Sequence, residues 1–470
     1  MPEIQFAINS YQARALPISA QQCVNYFVEQ LPPDAKSPVV LYNTPGLKSF
    51  VTAGPGPIRG MHRMQGEAYV VSGPGLYGLT AGGTAAQLGS IAGVGPVSMA
   101  SNDADQLCVV NGLQGYIYDL STGFAQISDP DFLAASAVTH QDGYFIFTHT
   151  DTAQFFISNL LNGLAYLATD IATAEGADDK LVAVKSNHRE VWLFGEETIE
   201  IWFNSGNLDF PFDRLGGTFI ERGCGAAHSI ARFDNTLVWL GEDLIVYRAN
   251  GYQPERISTH AIEEEIRKYA TTSDAIAFTY TDSGHKFYCL TFPSALATWV
   301  YDAATRLWHE RDSRDSQGIS IGRWRANAYV RAYGKHLIGD YATGQIGELD
   351  MDTFVEYSNV LQALATGPSM AYDRKRVIHR RFELDVESGV GTTSGQGSDP
   401  EIVLDYSDDG GRTFSTRKPP RSIGKQGEYK KRLRWNRMGQ SRNRIYRVVT
   451  SDPVKRSIVA AHVELGLGAS

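Results

Sequence analysis

The 470-residue sequence has no long apolar run and few cysteines. No stretch reaches the roughly 18 apolar residues that a membrane-spanning helix needs, and the N-terminal MPEIQFAINS lacks the basic and apolar regions of a secretory signal. The four cysteines are widely scattered, so they suggest neither a disulfide framework nor a Cys-x-x-Cys metal site. We therefore predict a soluble protein, made in a cytoplasm, with no membrane insertion and with reduced, buried thiols.

Motifs of metal and nucleotide sites are also missing. The eleven histidines show no His-x-His or His-Glu-x-x-His spacing, which metal ligands would favour, and no phosphate-binding Gly-x-x-x-x-Gly-Lys-[Ser/Thr] motif occurs. GPGLYG, residues 73–78, matches the dinucleotide fingerprint Gly-x-Gly-x-x-Gly, but no helix signal follows to meet a pyrophosphate. We interpret it as a hairpin turn. The sequence predicts no catalytic residue, no cofactor and no metal.

A recurring hairpin pattern dominates the first three quarters of the chain. Seven stretches show two apolar strands around a polar or glycine-containing turn: residues 69–79, 107–118, 144–157, 191–203, 237–247, 287–301 and 337–349. Their starts are 37 to 50 residues apart, a period typical of β-propeller blades. We predict a mostly β protein with a β-propeller of about six or seven blades over residues 61–352, with an irregular multi-sheet β protein as the alternative.

The remaining chain divides into three further elements. Residues 1–60 form an N-terminal segment, and residues 353–470 are predicted to form a C-terminal β-sandwich. Within it, RRFELDVESG (380–389) and EIVLDYS (401–407) are predicted to pair across the glycine- and serine-rich loop 388–400, with SIVAAHVEL (457–465) as the closing strand. One helix is predicted between blades at STHAIEEEIRKYA, capped by Ser258 or Thr259 and with Ile262 and Ile266 on its apolar face.

Positive charge is concentrated near the C-terminus. KKRLRWNRMGQSRNRIYR, residues 430–447, has eight bases and no acid; the wider window 412–447 has 13 bases and one acid, against 30 bases and 51 acids elsewhere. Cations alternate with Leu433 and Trp435, which predicts a strand with one basic and one buried face. A solvated face, a nucleic-acid contact and a protein contact all remain open. The candidate assembly or DNA-facing surface comprises Lys430, Lys431, Arg432, Arg434, Arg437, Arg442, Arg444 and Arg447.

A second motif precedes the basic segment. SDDGGRTF fits the Asp-box pattern Ser-x-Asp-x-Gly-x-Thr-Phe of sialidase-type propellers, through Ser407, Asp409, Gly411, Thr413 and Phe414. There the aspartate bonds the amides of its own turn, glycine supplies a positive φ and the aromatic ring anchors the hairpin. We interpret the motif as a structural turn. It also raises an alternative function, a glycan-binding or glycan-cleaving β-propeller.

Several stretches together resemble one family. They are CVNYFVEQ, PGLKSF, EETIEIWFNSG, ERGCGAAHSIAR, AIEEEIRKYA, ATWVYDAATRLWHER, RRFELDVESGVG and, most specifically, KKRLRWNRMGQSRNRIYRVVTSDPVKRSIVAAHVEL. In this order, from about residue 20 to residue 465, they resemble the tail hub, or nozzle, proteins of short-tailed bacteriophages, also called packaged DNA stabilisation proteins.

The resemblance implies a structural virion protein, located in the tail and assembled in the bacterial host cytoplasm. Such proteins form a ring of about six subunits beneath the portal and its head-completion adaptor. The ring extends and closes the channel for packaged double-stranded DNA, retains that DNA, and carries the tail needle, tailspike or fibre. The family offers no catalytic residues to carry over, and its basic segment matches residues 430–447. An acidic channel wall would discourage phosphates from binding during ejection.

Overall fold

The computed structural model describes residues 3, 4, 6, 9–174, 176–371, 375–416 and 418–467, and most of them lie in β-strands or the turns between strands. Within this described part, no helix is long and apolar enough to cross a bilayer.

Across the described residues, seven four-stranded antiparallel units form the blades of a propeller, numbered I to VII here; blades I to V are separate sheets, and blades VI and VII are parts of larger sheets. Each blade's first strand is innermost and lies against its neighbours around the ring, with the short 3-10 helix Ala227–Ser229 completing the contact at blade V. The first strand of blade VII meets that of blade I, which closes the ring. The strands of blades I to IV are Ile58–Met64, Glu67–Ser72, Gly75–Leu79 and Ala85–Ser90; Ser98–Ser101, Gln106–Val110, Gly115–Asp119 and Gly123–Gln126; Ala135–Gln141, Tyr144–His149, Gln154–Ile157 and Ile171–Thr173; Leu181–Asn187, Glu190–Gly195, Ile199–Asn204 and Phe212–Arg214. Those of blades V to VII are Ala231–Phe233, Thr236–Leu240, Val246–Asn250 and Gln253–Arg256; Ile276–Asp282, His285–Phe292, Ala297–Asp302 and Leu307–Glu310; Ala326–Ala332, Lys335–Asp340, Gln345–Asp350 and Gly46–Thr52.

The predicted hairpins coincide with the second and third strands of the seven blades, so the propeller prediction is confirmed. In blade IV, Trp192 and Ile201 are opposite each other in the ladder, and both are buried between blades. The middle strands are the most apolar because both of their faces pack against neighbouring blades. GPGLYG is a hairpin turn, as predicted, with Gly73 at φ +50°.

The N-terminal part of the chain completes the last blade. Gly46–Thr52 pairs antiparallel with Gln345–Asp350, so that Leu47 lies opposite Leu349 and the two ends of the propeller are joined by one ladder. Two short strands, Val355–Glu356 and Asn359–Val360, extend this sheet. The proposed domain boundaries at residues 60 and 352 stay predictions; residues before 60 contribute strands to both the propeller and the sandwich.

Two sheets form the C-terminal sandwich. Phe382 of the first sheet and Tyr446 of the second have ring centroids 4.6 Å apart, and Trp435 lies 6.0 Å from Phe382. In order, the first sheet contains Leu433–Asn436, Val377–Val386, Ser457–Leu467, Val39–Asn43 and Tyr26–Gln30, with Gln440–Ser441 and Glu3–Ile4 beside it. The second contains Arg421–Ser422, Glu401–Ser407, Asn443–Thr450, Ala363–Thr366 and Cys23–Val24, with Met370–Ala371 beside it.

One predicted strand pairing is wrong. Val377–Val386 and Glu401–Ser407 belong to opposite sheets of the sandwich. The partner of Val377–Val386 is the closing strand Ser457–Leu467, with Phe382 opposite Val463. Loop 388–400 therefore crosses from one sheet to the other, which buries the apolar faces of both strands against each other.

The propeller and the sandwich share a continuous sheet. Val24 pairs in parallel with Glu310 of blade VI and antiparallel with Leu364 of the sandwich. The next residue, Asn25, is buried at φ +56°, and its side-chain nitrogen Nδ2 donates hydrogen bonds to the carbonyl oxygens of Asp312 (2.8 Å) and Gln362 (2.7 Å). One short strand thus joins the two domains by backbone and side-chain hydrogen bonds.

The predicted helix is present at His260–Ile266, between blades V and VI. Thr259 is its N-cap, and the Thr259 hydroxyl accepts a hydrogen bond from the Ile262 amide. Ile262 and Ile266 are fully buried against these blades, so the predicted apolar face is confirmed.

Candidate functional site

The basic segment begins with an edge strand of the first sandwich sheet. Leu433–Asn436 pairs with Val377–Val386 on one side, and no strand of the described residues pairs with it on the other. Leu433 and Trp435 are buried and Arg434 points outward, so the predicted alternation is confirmed. Cations on an edge strand also discourage unwanted pairing with another sheet.

Three arginines converge on one buried carboxylate at this edge. Glu383 lies 3.2 Å from Arg432 Nη2, 2.7 Å from Arg434 Nε and 3.0 Å from Arg381 Nη1. Burial alone would raise the pKa of Glu383, but the hydrogen bond from Arg381 and the charges of Arg434 and Arg432 hold it below its usual value. Arg381 also pairs with Glu464 at 3.1 Å, so two carboxylates face three guanidinium groups and the cluster keeps a net positive charge.

Arg444 and Arg447, predicted from the sequence to lie on the basic surface, are instead paired with acids of the sandwich. Arg444 is only 2% exposed, because it points into the sandwich, where its guanidinium makes two 2.7 Å contacts with Asp408 and lies 4.0 Å from the ring centroid of Tyr406. Burial disfavours the charge, yet the hydrogen bond to Asp408 raises the Arg444 pKa overall. Arg447 is half-buried and pairs with Asp405 at 2.7 Å. Both side chains stabilise the fold.

The remaining six cations occupy exposed or half-exposed positions. We call this set the basic edge: Lys430, Lys431, Arg432, Arg434, Arg437 and Arg442. Lys431 pairs with Glu428 at 2.9 Å, whereas Lys430, Arg437 and Arg442 have no ion-pair partner among the described residues. Tyr429, next to Lys430, is 74% exposed.

A preceding segment covers the backbone of the edge strand. The Lys418 ammonium donates a hydrogen bond to the carbonyl of Arg437 (2.9 Å), and Arg421 Nε donates to that of Arg434 (2.9 Å). Trp435 Nε1 donates in turn to the carbonyl of Pro419 (3.0 Å). These side chains use backbone carbonyls that an added strand would need, so the addition of another strand is obstructed. A partner would therefore contact the side chains of the basic edge.

The Asp-box forms the turn that its sequence predicts. Asp409 accepts hydrogen bonds from the Ser407 hydroxyl (2.6 Å), the Thr413 amide (3.0 Å) and the Thr413 hydroxyl (2.5 Å). Hydrogen bonds from Ser407 and Thr413 hold the Asp409 pKa well below its usual range. Gly411 has φ +93°, a conformation that glycine adopts without strain.

The Asp-box packs against the rest of the sandwich. The ring of Phe414 lies under the Arg447 guanidinium, 4.0 Å from its centroid. A Cβ on Gly411 would come within 2.5 Å of the Ala20 Cβ. The turn therefore has a clear structural role in holding the N-terminal strands on the sandwich.

No catalytic or metal-binding arrangement emerges from the described residues. In that part of the chain, no group of three or more His, Cys, Asp or Glu side chains could hold a metal ion. Residues 318–322, GISIG, match the pattern Gly-x-Ser-x-Gly of a nucleophile elbow, which requires a strand-to-helix turn. Here Ser320 lies in a loop between blades VI and VII, where its hydroxyl accepts a hydrogen bond from the Gly322 amide (3.0 Å).

These features define a two-domain class, a seven-bladed propeller continuous with a β-sandwich that has a basic edge. Two family models match the chain: "Bacteriophage P22 Gp10, beta-propeller" over residues 19–354 and "Bacteriophage P22 Gp10, beta-sandwich" over residues 364–466. The chain therefore belongs to the bacteriophage P22 Gp10 family, and the resemblance to phage tail hub proteins is confirmed.

Individual relatives are distant. The chain is 24% identical to tail hub protein gp10 of Salmonella phage P22 over 400 residues, which cover 79% of this chain and 81% of that protein. Among solved structures, the computationally designed Ika8 protein has a TM-score of 0.41 at 11% identity, covering 64% of this chain and 99% of its own. BamB from Moraxella catarrhalis has a TM-score of 0.38 at 11% identity, and the match covers 69% of this chain and 96% of BamB. These two likenesses carry no argument about function.

Proposed function

We propose that this chain is the tail hub of a short-tailed phage virion, assembled in the host cytoplasm as a ring of about six subunits. The ring lies beneath the portal and head-completion adaptor, extends and closes the DNA channel, retains packaged double-stranded DNA and carries the tail needle, tailspike or fibre. The observation that carries this proposal is the match of the family models to both domains, in order, along nearly the whole chain.

The basic edge is our candidate for the contact between neighbouring subunits or with an adjoining tail protein. A closed ring uses heterologous interfaces, in which one face of each subunit meets a different face of the next. A basic face meeting an acidic face fixes the register of such a contact. Lys430, Arg437 and Arg442 suit this role because their charges are not used within the described part of the chain. Exposed Tyr429 adds the aromatic side chain that is enriched in interfaces.

Contact with DNA is the competing role of the basic edge. Outside residues 412–447 the sequence has 51 acids against 30 bases, so a wall built from the rest of the subunit would repel phosphates. In packaged duplex DNA the bases are stacked, so Tyr429 would gain no base to stack on. We therefore favour the protein contact.

Reversing the three unpaired cations tests this assignment. The variant Lys430→Glu, Arg437→Glu, Arg442→Glu breaks no ion pair of the described residues, so it should keep the wild-type circular dichroism spectrum and melting temperature. It should fail to join portal-containing capsids that lack the protein, and the number of DNA-filled particles should fall. The matched control, Arg63→Glu, Lys180→Glu, Arg306→Glu, reverses three exposed propeller cations and should assemble normally.

Other results would overturn parts of this proposal. Normal assembly and DNA retention by the folded triple variant would remove the basic edge as an assembly contact. Duplex DNA binding by the wild type, falling steeply with salt and lost in the variant, would assign the edge to DNA instead. A wild-type protein that stays monomeric with portal complexes and hydrolyses a sialoside would favour the glycan-active alternative.

A further inference from the structure

The innermost strands of all seven blades surround a central channel. Two cavities, of about 280 and 370 Å³, lie on the propeller axis. These two axial cavities share His62, Met99, Lys185 and Ile230 as lining residues. They therefore lie end to end along the channel.

Cationic and imidazole side chains line this channel, and no carboxylate does. Lys185 lines both axial cavities; Arg232 lines one, and His228 the other. His62, on the first strand of blade I, faces them. Neither set of lining residues includes an Asp or Glu, although the chain as a whole carries 52 acids and 43 bases. The channel therefore differs in charge from most of the molecule.

Lys185 has no partner to offset its charge. It forms no hydrogen bond or ion pair with the described residues. The guanidinium of Arg232 donates from Nε and Nη2 to the Ser186 carbonyl, and its Nη1 has no hydrogen-bond partner among the described residues. Asp103 lies 3.8 Å from His140, which lines the larger axial cavity, but the Asp103 side chain is mostly exposed.

The electrostatic cost of this arrangement is visible in the side chains themselves. Desolvation lowers the Lys185 pKa, and the charge of Arg232 lowers it further. Desolvation and the charge of Lys185 lower the pKa values of His62 and His228 to about 4. A negative ligand in the channel would offset these costs, since it would restore a counter-charge to groups that have none.

We propose that the central channel of the propeller is a binding site for a phosphate-class oxyanion, with Lys185 as its main ligand and Arg232 Nη1, His62 and His228 as further donors. Phosphate suits the site because it accepts several charge-assisted hydrogen bonds at once. The site is separate from the basic edge of the sandwich and goes beyond the proposed role in the tail. The phosphate group could belong to a free ion or to a phosphodiester.

Calorimetric titration of the full chain tests this proposal. Inorganic phosphate and a short oligothymidylate are the two probes, with sodium chloride at equal ionic strength as the reference. We expect saturable binding of at least one probe to the wild type. The affinity should fall about tenfold to a hundredfold in Lys185→Met, because one charged hydrogen bond is lost. Lys180→Met, an exposed lysine just before the same strand, should bind like the wild type.

Melting temperatures give a second readout that does not depend on heats of binding. The bound probe should raise the melting temperature of the wild type and of Lys180→Met, but not of Lys185→Met. In chloride alone, Lys185→Met should melt at or above the wild-type temperature, because an uncompensated cation has been removed. Binding of phosphate alone would identify a free ion, and binding of oligothymidylate alone a phosphodiester. No saturable binding of either probe, or equal binding by Lys185→Met, would overturn the proposal.

Discussion

Arg442 and Arg444 lie two residues apart in the basic segment, yet substituting them should have opposite consequences. Arg444 is buried and paired with Asp408, whereas Arg442 is exposed and has no ion-pair partner among the described residues. We expect Arg444→Met to destabilise the sandwich and Arg442→Met to leave its stability unchanged. The pair therefore separates the structural cations of this segment from those available to a partner.

The expected magnitude follows from the contacts of Arg444. Its guanidinium donates twice to Asp408 and once to the Met438 carbonyl, and it stacks on Tyr406. Hydrogen bonds of charged groups contribute about 1.5–3 kcal/mol each, but methionine recovers part of the packing. Asp408 keeps 40% of its side chain exposed and can be hydrated after the change. We expect a loss of about 2–4 kcal/mol, near the lower end for breaking a buried ion pair, and under about 0.5 kcal/mol for Arg442→Met.

Hydrogen exchange followed by mass spectrometry measures this loss of stability within the sandwich. Amides of Asn443–Thr450 should exchange roughly 30-fold to several hundred-fold faster in Arg444→Met, while Glu190–Gly195 of blade IV serves as an internal reference. Exchange of Asn443–Thr450 within about threefold of the wild type would refute the stabilising role of the Arg444 pair. Faster exchange in Arg442→Met would contradict its assignment to the basic edge.

Further substitutions test the Asp-box and the propeller closure. Gly411→Val should lower the melting temperature of the sandwich more than Gly427→Val in differential scanning calorimetry, because both glycines have positive φ but only Gly411 is crowded by a neighbouring Cβ; equal effects would count against the packing argument. Asp409→Ala should lower the melting temperature of the sandwich at pH 7, and the difference from the wild type should fade as the pH falls below about 4. A carboxylate whose pKa is depressed in the folded state stabilises the fold above its unfolded pKa and loses this effect on protonation. A difference in melting temperature that persists in acid would show another cause. Leu47→Ala removes a fully buried side chain from blade VII and should lower the free energy of unfolding, measured by urea denaturation, by about 2–5 kcal/mol. The control Lys48→Ala, at an exposed position, should lower it by under about 0.5 kcal/mol. Similar losses in the two variants would argue against closure of the propeller through this strand.

The parts of the fold that the sequence predicted well are those with local signals. Each blade's central hairpin is apolar and bounded by a turn, so seven such patterns indicated the propeller. The alternation around Leu433 and Trp435 identified a strand with one buried face. The Asp-box identified its own turn, because the hydrogen bonds of the Asp409 carboxylate join residues at most four apart.

Features that depend on distant residues were not predictable in this way. The ladder between Leu47 and Leu349 closes the propeller across 302 positions, and the partner of Val377–Val386 is chosen by the sandwich core. The burial of Arg444 could have been predicted from its place in the strand. It lies two residues before Tyr446, so both side chains point to the same face, and the aromatic ring indicates that this face is buried. Lys185 and Arg232 come together only because the innermost strands of a propeller surround one axis.

The short strand between the two domains also determines how the molecule carries force. Val24 is bonded on one side to blade VI and on the other to the sandwich, and Asn25 adds side-chain bonds to both. A pull along this strand loads those bonds together, in shear, whereas hinge bending between the domains would have to peel them apart one after another. Tension applied to the sandwich would therefore reach the propeller ring through these hydrogen bonds, and pulling the two domains apart along the strand would require breaking them together.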